Sequence, residues 1–194
     1  STAKIKEGYF RELGVTALWI TPPVEQIHAG TDEGTGKTYG FHGYWAKDFT
    51  AVDANLGSEK DFRTFVDTAH ANGIRVILDV VMNHTGPVTE ADPVWPADWV
   101  RTKPKCTYKD APTTIDCTLV DNLPDFLTGS NENVALPPAL VAKWKKEGRH
   151  DRELRELDAF FKRTGYPRAP RYYLVKWHAD WVRKYGVDGF RADT

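Results

Sequence analysis

The feature of this sequence that most constrains the fold is a pattern that occurs three times. Each copy consists of an amphipathic helical stretch, a glycine, a β-branched residue and a short apolar strand, and the glycines are Gly14, Gly73 and Gly186. Repeated helix–strand units with right-handed connections predict a parallel β-sheet. Such a sheet is either closed into a (β/α) barrel or open and doubly wound, and the pattern alone does not separate the two architectures.

The middle copy is the clearest. Ser58 and Asp61 are placed to cap a helix, and Gly73 is placed to end it in a left-handed conformation. The predicted buried face of this helix has the spacing of an amphipathic helix: Phe62, Phe65, Val66 and Ala69. Residues 74–81 (IRVILDVV) are apolar on both faces, as a strand covered on both sides must be.

The other two copies follow the same plan. The first predicts a helix over about residues 4–13 and a strand over 15–20 (VTALWI). The third predicts a helix over about residues 172–185 and a strand over 187–193 (VDGFRAD). The third helix is expected to bury one apolar face, formed by Leu174, Trp177, Trp181 and Val182.

Between the second and third copies lie about 85 residues that hold ten of the twelve prolines. Unstructured loops of this length are uncommon in compact domains, so residues 86–170 are expected to form a subdomain inserted at the carboxyl end of a strand. The predicted divisions are therefore 1–85, 86–170 and 171–194. Within the insertion, residues 139–162 predict a helix that is broken near Gly148 and buries Leu154, Leu157, Phe160 and Phe161.

Charge and composition exclude several functional classes. The 26 Lys and Arg residues nearly balance the 27 Asp and Glu residues, which argues against a nucleic-acid partner. The apolar runs are far shorter than the roughly 18 to 20 residues that a membrane-spanning helix needs, so no membrane partner is expected.

The chain begins without Met or a signal core and stops after a hydrophobic stretch, so both ends are expected to be cut. The oligomeric state stays open.

Two cysteines, Cys106 and Cys117, are separated by ten residues in a Pro- and Thr-rich stretch. A second pair of metal ligands at zinc-site spacing is absent from the sequence, so a local disulfide is favoured over a metal site. The sequence leaves disulfide and free thiols about equally open. A disulfide would indicate an oxidising compartment.

Polar residues follow the second and third predicted strands, where (β/α) folds place their functional groups. They are Asp79, Asn83 and His84 after the second strand, and Arg191 and Asp193 in the third. Asp79 and Arg191 each lie inside an apolar run, and an unpaired buried charge is costly, so they are predicted to form an ion pair. Asp193 is expected on the same strand face as Arg191, where a guanidinium keeps a carboxylate ionised, as a nucleophile requires.

Each of these signals also has a purely structural interpretation. Arg191 and Asp193 alone fit a structural salt bridge, His84 alone fits a hydrogen-bonded core histidine, and Asn83 fits a strand-end cap. The segment 39–45 (YGFHGYW) places aromatic rings among glycines in a loop, as in proteins that bind the flat faces of sugar rings or bases. Taken alone, that segment fits a packed turn.

A phosphate-binding loop is a rival interpretation of residues 30–38 (GTDEGTGKT). The segment misses the P-loop pattern by one residue, because the first glycine would have to stand at Thr31. It also carries Asp32 and Glu33 where an anion would approach, and no amphipathic helix is predicted to begin at Lys37. A phosphate site is therefore not expected here.

Five segments in order resemble the α-amylase family of glycoside hydrolases, especially its bacterial secreted or periplasmic members. They are residues 14–22 (GVTALWITP), 39–45 (YGFHGYW), 79–84 (DVVMNH), 123–125 (LPD) and 189–194 (GFRADT). The similarity extends over essentially the whole chain. It implies an α/β fold, a partial (β/α)8 TIM barrel of about strands 2 to 4 with an inserted B domain. It also implies an extracytoplasmic enzyme that hydrolyses α-1,4-glucosidic bonds in an α-glucan with retention.

The resemblance assigns a role to each candidate residue. Asp193 matches the nucleophile, and Arg191 matches the arginine that keeps it ionised and pairs with Asp79. The sugar at the cleavage point is expected to contact His84 and to stack on Tyr44, with His42 and Trp45 as lesser members of the same pocket. Asn83 and Asp125 match oxygen ligands of a structural Ca²⁺, whose hard-cation chemistry suits amide and carboxylate oxygens.

The resemblance also implies what this chain lacks. A retaining glycosidase uses two carboxyl groups about 5 to 5.5 Å apart. The family's acid/base glutamate, its later His–Asp pair and the histidine whose carbonyl helps to hold calcium are all expected beyond Thr194. The chain alone is therefore expected to be inactive in the hydrolysis of starch. The same motifs also fit a transglycosidase, an isomerase or an α-1,6-glucosidase of the family, or a non-catalytic amylase-like partner protein.

Overall fold

The structure is a computed structural model and describes residues 1–32, 36–92, 95–118 and 122–193. Thr194 of the GFRADT motif and residues 33–35 of the phosphate-loop-like segment lie outside the described residues. Among the helices in the described ranges, none combines the length and the apolar character needed to cross a membrane.

Helices occupy the beginning, the middle and the carboxyl-terminal third of the described chain. They are α1 (Thr2–Lys6), α2 (Tyr9–Glu12), α3 (Glu59–Ala71), α4 (Pro112–Ile115), α5 (Pro138–Lys146), α6 (His150–Thr164) and α7 (Pro170–Tyr185). Most of the strands are short. They are β1 (Ala17–Ile20), β2 (Val24–Gln26), β3 (Thr31–Asp32), β4 (Lys37–Thr38), β5 (Ala46–Val52), β6 (Arg75–Val81), β7 (Val100–Arg101), β8 (Asp125–Phe126) and β9 (Gly189–Asp193).

Three strands form a parallel sheet, called the central sheet below, in the order β1–β6–β9. The predicted parallel sheet is therefore confirmed, and its strands are the three that follow the repeated glycines. The connection from β1 to β6 includes α3, and the connection from β6 to β9 ends with α7. The two helices pack together through aromatic rings, since Phe62 lies 5.4 Å from Trp181 and 4.9 Å from Tyr185 between ring centroids.

The cap and buried face predicted for α3 are confirmed. The Ser58 side chain accepts a hydrogen bond from the Asp61 backbone, and the Asp61 side chain accepts one from the Ser58 backbone. This reciprocal capping box satisfies two of the helix's free N–H groups. All four residues of the predicted face are buried: Phe62, Phe65, Val66 and Ala69.

Two details of the predicted helices are wrong. The first helix is interrupted, because Gly8 adopts a left-handed conformation (φ 82°) between α1 and α2. In α7, Leu174, Trp177 and Trp181 are buried as predicted, but Val182 is 41% exposed. Trp181 and Val182 are adjacent, so they point about 100° apart on the helix, and the core contacts lie on the side of Trp181.

An antiparallel layer formed by β2 and β5 was not predicted from the sequence. This layer is bonded to α7, because Trp181 donates its indole N–H to the Phe49 carbonyl at 2.9 Å. Three nearly parallel rings form an aromatic column below this layer: Phe49 stacks on Trp177, and Trp177 stacks on Trp99, with centroids 6.1 and 6.0 Å apart. The column joins β5, α7 and the segment before β7 in one core.

The predicted helix over residues 139–162 is present as α5 and α6, and the predicted break occurs at Gly148, which is left-handed (φ 70°). Leu157, Phe160 and Phe161 are buried as expected, and Leu154 is half-buried. The two helices attach to β5 through an ion cluster around Asp48, whose side chain is fully buried. Lys143 and Arg149 both pair with this carboxylate, and Arg149 also donates to the Thr50 hydroxyl.

Cys106 and Cys117 form a disulfide. Reduction of this bond is expected to lower the free energy of unfolding by about 2–3 kcal/mol, because the bond closes a short loop that is otherwise free in the unfolded chain. Urea denaturation with and without dithiothreitol measures the effect. A Cys106→Ala/Cys117→Ala variant is the control and should not respond to the reductant. An unchanged urea midpoint for the unmodified protein on reduction would contradict the prediction.

Candidate active site

One face of the central sheet carries the polar residues at the carboxyl ends of its strands. In the sheet register, Trp19 pairs with Ile77, Asp79 with Arg191, and Val81 with Asp193. Because alternate residues of a strand point to the same side, Ile77, Asp79 and Val81 share one face with their partners. On this face Asp79 and Val81 of the middle strand are buried, whereas Trp19 of the edge strand β1 is 60% exposed.

Arg191 joins two carboxylates on this face. Its guanidinium lies 3.2 Å from the Asp79 carboxylate and also forms an ion pair with Asp193. Asp79 is 1% exposed, as its apolar surroundings predicted, but the Arg191 side chain is 43% exposed rather than buried. The expectation of a buried arginine is therefore wrong, because β9 is an edge strand of this sheet. Hydrogen bonds to Asp193 and Asp79 raise the pKa of Arg191 further, so it stays a cation.

Tyr44 completes the coordination of Asp79. Its hydroxyl donates to Asp79 Oδ2 at 2.7 Å, while Arg191 contacts both carboxylate oxygens. The hydrogen bond to Asp79, together with desolvation, raises the pKa of Tyr44, so the phenol remains protonated and keeps donating. Asp79 is thus held by a cation and a neutral donor, and Arg191 is fixed between Asp79 and Asp193.

Trp19 is a site residue that the sequence analysis missed. The guanidinium of Arg191 lies over its ring, 5.4 Å from the centroid, which is a cation–π contact. Arg191 is therefore held by two carboxylates and one aromatic face. The sequence contains a signal for this position: once β1 and β6 are aligned, the alternation of side chains along each strand places Trp19 and Ile77 on the same face as Asp79. The sequence alone did not give the alignment of β1 with β6.

The aromatic loop before β5 is compact. A turn of 3₁₀-helix over Gly40–His42 is followed by Gly43 with φ 92°, and a Cβ at Gly43 would lie 2.7 Å from the Pro22 carbonyl oxygen. Only glycine fits this close approach. His42 then stacks on Tyr44 at 5.8 Å and meets Trp45 edge-on at 4.7 Å between centroids, and its Nδ1 accepts the Tyr44 N–H.

The structure separates the aromatic candidates by exposure. Trp45 is 5% exposed, and its backbone N–H donates to the Gln26 side chain at 2.7 Å. Its ring therefore supports His42 from below instead of offering a free face to a ligand. Tyr44 is half-buried and keeps its hydroxyl on Asp79. Phe41, beside His42 in the same turn, is 86% exposed.

His84 has one satisfied and one unsatisfied ring nitrogen. Its Nε2 lies 3.1 Å from the Tyr44 carbonyl oxygen, which can only accept, so Nε2 carries the proton. Nδ1 is buried and has no hydrogen-bond partner in the described part of the chain. In the neutral ring Nδ1 is an acceptor, so a hydroxyl group that reached it would satisfy it.

Burial lowers the pKa of His84, although the hydrogen bond to Tyr44 and the charges of Asp125 and Asp193 raise it. We expect the ring to titrate below 6.5, its ordinary value. As the pH falls, His84 is then protonated in the unfolded chain before it is protonated in the folded chain. The free energy of unfolding should therefore decrease as the pH falls from 6.5 toward the folded-state pKa of His84. An NMR titration measures the pKa of the His84 ring, and the His84→Gln variant assigns the signal. A midpoint at or above 6.5 would contradict this expectation.

Asn83 and Asp125 are neighbours. The Asn83 amide donates to Asp125 Oδ1 at 3.2 Å, and His84 and Asp125 form an antiparallel bridge. Both side chains carry hard oxygen donors of the kind Ca²⁺ takes, and rotation of the amide about its last bond would bring its oxygen to the Asp125 side. No group of three or more His, Cys, Asp or Glu that could hold a metal occurs among the described residues. Asn83 and Asp125 could supply two of the roughly six to eight oxygen ligands that Ca²⁺ binds.

The phosphate-loop-like segment has a different geometry. Strands β3 and β4 pair antiparallel, with Thr31 opposite Thr38 and Asp32 opposite Lys37. Lys37 therefore lies in a strand where a phosphate loop would begin a helix. The expectation that no helix starts at Lys37 is confirmed.

The sequence profile of the family described as alpha amylase, catalytic domain, matches residues 3–116. The periplasmic alpha-amylase of Escherichia coli (strain K12) is 34% identical over 244 aligned residues, which cover 97% of this chain and 34% of that protein. A cyclomaltodextrin glucanotransferase of Thermoanaerobacterium thermosulfurigenes is 46% identical over 93 residues, covering 47% of this chain and 13% of that protein. The chain thus spans about a third or less of the length of these curated relatives.

Solved structures of the same two kinds superpose on the chain. The alpha-amylase of Geobacillus thermoleovorans, complexed with acarbose, has a TM-score of 0.64 and 27% identity, covering 99% of this chain and 32% of that one. The gamma-cyclodextrin glucanotransferase of alkalophilic Bacillus clarkii has a TM-score of 0.69 and 25% identity, covering 100% and 24%. The fold is that of the alpha-amylase catalytic domain, a TIM barrel in its relatives. The chain belongs to the alpha-amylase family.

Proposed function

We propose that this chain carries the nucleophile half of a site that cleaves α-glucosidic bonds with retention, in a protein that acts on α-glucans. The observation that carries the proposal is the row of Asp79, Arg191 and Asp193 across β6 and β9, with Arg191 bonded to both carboxylates. The match to the alpha-amylase catalytic domain supports the substrate class.

Asp193 is the proposed nucleophile. Its carboxylate oxygen attacks the anomeric carbon, the bond from that carbon to the leaving oxygen breaks, and a β-glucosyl ester on Asp193 results. Arg191 keeps Asp193 ionised and oriented. Asp79 and Trp19 act through Arg191, because they hold its guanidinium from two sides. Tyr44 in turn holds Asp79.

His84 and the aromatic loop are the proposed sugar-binding elements. The unpartnered Nδ1 of His84 accepts a sugar hydroxyl, while its Nε2 stays fixed on the Tyr44 carbonyl. The ring of Tyr44 offers a face to the sugar, with His42 stacked beside it. Trp45 contributes by packing against His42, in keeping with its burial.

A retaining mechanism needs a second carboxyl group about 5 to 5.5 Å from the nucleophile. Asp79 is unsuited to this role, since its oxygens are engaged by Arg191 and Tyr44. We propose that the acid/base glutamate comes from sequence outside residues 1–194, as the resemblance implies. It would protonate the leaving oxygen and later take a proton from the attacking water.

Transfer to a sugar is the second candidate for the final step. Cyclomaltodextrin glucanotransferases match about half of the chain at more than 40% identity, and the ester on Asp193 is common to both outcomes. Water as the acceptor gives hydrolysis, and a sugar hydroxyl gives transglycosylation. The residues described here serve the first half-reaction, so the acceptor depends on groups outside the row of Asp79, Arg191 and Asp193.

We further propose that β1, β6 and β9 correspond to about the second to fourth strands of the barrel. Residues 86–170 would then be the inserted B-type subdomain between 1–85 and 171–194. Asn83 and Asp125 would hold a structural Ca²⁺ at the junction, where the ion fixes the end of β6 to the insertion. An extracytoplasmic location is supported by the Cys106–Cys117 disulfide and by the periplasmic relative.

The test uses α-maltosyl fluoride, because fluoride leaves without a proton from an acid catalyst. Attack by Asp193 forms the carbon–oxygen bond, breaks the carbon–fluorine bond and releases one fluoride ion. We expect a burst of about one fluoride per protein from the α-anomer and none from β-maltosyl fluoride. Equal release from both anomers, or none from either, would contradict the proposed function.

A further inference from the structure

We propose that a cavity beside α5 is a second binding site for a neutral polyhydroxylated ligand, of which an α-glucan oligosaccharide is the example. The cavity has a volume of about 990 Å³, at the upper end of the range for small-molecule sites, about 300–1,000 Å³. It lies between the start of β5, the segment after His84 and the first turns of α5. We call it the α5 cavity.

The α5 cavity lies behind the segments that carry Tyr44 and His84. Its lining includes Ala46 and Gly86, each two residues further along the chain from one of these. The wall is tight, since a Cβ on Gly86 would lie 2.7 Å from the Ile27 side chain and 2.8 Å from the Trp45 carbonyl oxygen. A ligand in the α5 cavity would therefore contact the back of the same loops.

The cavity has the mixed surface that sugars require. Most lining residues are small or apolar, with prolines and alanines from both walls. Trp95 contributes a half-buried indole, which meets Phe49 and Trp177 at interplanar angles of 85° and 80°. The aromatic column thereby fixes the orientation of Trp95. An aromatic ring held beside polar groups suits a ligand with apolar ring faces and polar edges.

Five of the six charged residues that line the cavity are held in ion pairs. Lys47 pairs with Asp92 at 2.6 Å, and Lys143 pairs with Glu25 at 2.6 Å and with Glu147 at 2.7 Å. The three carboxylates can accept hydrogen bonds from hydroxyl groups, and Lys47 can donate to a hydroxyl oxygen, whereas the three N–H groups of Lys143 are taken by Glu25, Asp48 and Glu147. Lys146 also lines the cavity, so the charged lining residues are three carboxylates and three ammonium groups, and the lining has no net formal charge that would favour a charged ligand over a neutral hydroxylated one.

The first turn of α5 adds donors to the same wall. The helix begins with Pro138 after Pro137 and has no side-chain cap, so the N–H groups of Ala139 and Leu140 lack helical partners. Both residues line the cavity. Together with Lys47, they supply hydrogen-bond donors beside the apolar lining, which favours hydroxyl oxygens over an alkyl chain.

The choice of maltotriose as the probe rests on the proposed function. The expectation that the ligand is neutral and hydroxylated rests on the residues that line the cavity. The experiment follows ¹H–¹⁵N NMR spectra of the chain during titration with maltotriose and, separately, with decanoate. We expect maltotriose to shift the signals of Ala139, Lys143 and the Trp95 indole. Ala139→Arg fills the cavity from an exposed helix position and should raise the Kd for these shifts at least tenfold.

The controls separate this inference from the proposed function. Ala142→Arg should act like Ala139→Arg, and Ala71→Arg, an exposed helical position on α3, should change nothing. Shifts at the cavity without shifts at His84 and Tyr44 would support the second site and count against the proposed function. Shifts at His84 and Tyr44 without shifts at the cavity overturn the second site alone. Binding of decanoate but not maltotriose, or cavity shifts that survive both arginine variants, also overturn it.

Discussion

Asp193→Asn is expected to abolish the fluoride burst from α-maltosyl fluoride, with a rate loss on the order of 10⁴-fold or more. Asparagine has nearly the same shape but no negative charge, so it cannot form the ester with the anomeric carbon. The guanidinium of Arg191 also loses one of its two ionic partners. The fold should persist, because Asp79 continues to hold Arg191 from the buried side.

The matched control is Asp67→Asn, which removes a carboxylate from the exposed side of α3. Its burst should equal that of the unmodified protein. Circular dichroism spectra that superpose for all three proteins show that the loss is chemical and not structural. A burst of normal size in Asp193→Asn would contradict the assignment of the nucleophile.

Asp48→Ala is expected to lower the free energy of unfolding by about 3–5 kcal/mol. Asp48 is fully buried and pairs with Lys143 and Arg149, which are themselves largely buried. Removal of the carboxylate takes away the fully buried one of the two partners that Lys143 and Arg149 share, leaving the more exposed Glu147, and the Thr50 contacts are disturbed as well. The effect should appear in urea denaturation followed by tryptophan fluorescence, since Trp144 lies in the same cluster.

The pH dependence of this variant has a defined sign. Burial alone would raise the pKa of Asp48, but Arg149 and Lys143 lower it below its ordinary value of 3.8. A depressed carboxyl pKa stabilises the fold above the unfolded value, and the contribution is lost as pH falls through the folded value. The difference in free energy of unfolding between the unmodified protein and Asp48→Ala should therefore be largest near neutral pH and should shrink as the pH falls below 3.8. Asp67→Ala is the control. A difference in free energy of unfolding below about 1 kcal/mol between the unmodified protein and Asp48→Ala at neutral pH would contradict the proposed role of the cluster.

The central sheet could be predicted because its information is local. Each of its strands follows a glycine that ends a helix, and each strand is a short apolar run. The cap of α3 was equally local, since Ser58 and Asp61 are three residues apart. The pairing of Asp79 with Arg191 is long-range, yet it followed from the cost of burying Asp79 without a partner.

The parts that could not be predicted depend on contacts between distant residues. Asp48 meets Lys143 and Arg149 across 95 and 101 residues, and no local pattern distinguishes Asp48 from a surface aspartate. Strand β5 lacks a clean alternation of apolar and polar residues, and its partner β2 has three residues. The contact of Trp19 with Arg191 requires the register of all three strands.

The measurement that tests the central claim most directly is peptide mapping of the protein after exposure to α-maltosyl fluoride. Mass spectrometry of a protease digest, quenched in acid, should find one maltosyl group on the peptide that contains Asp193, with fragmentation locating it on that side chain. On the proposal that the acid/base glutamate comes from sequence outside residues 1–194, the ester should accumulate in this chain. A maltosyl group on Asp79 or on any other residue, or an unmodified Asp193 after a fluoride burst, would contradict the account.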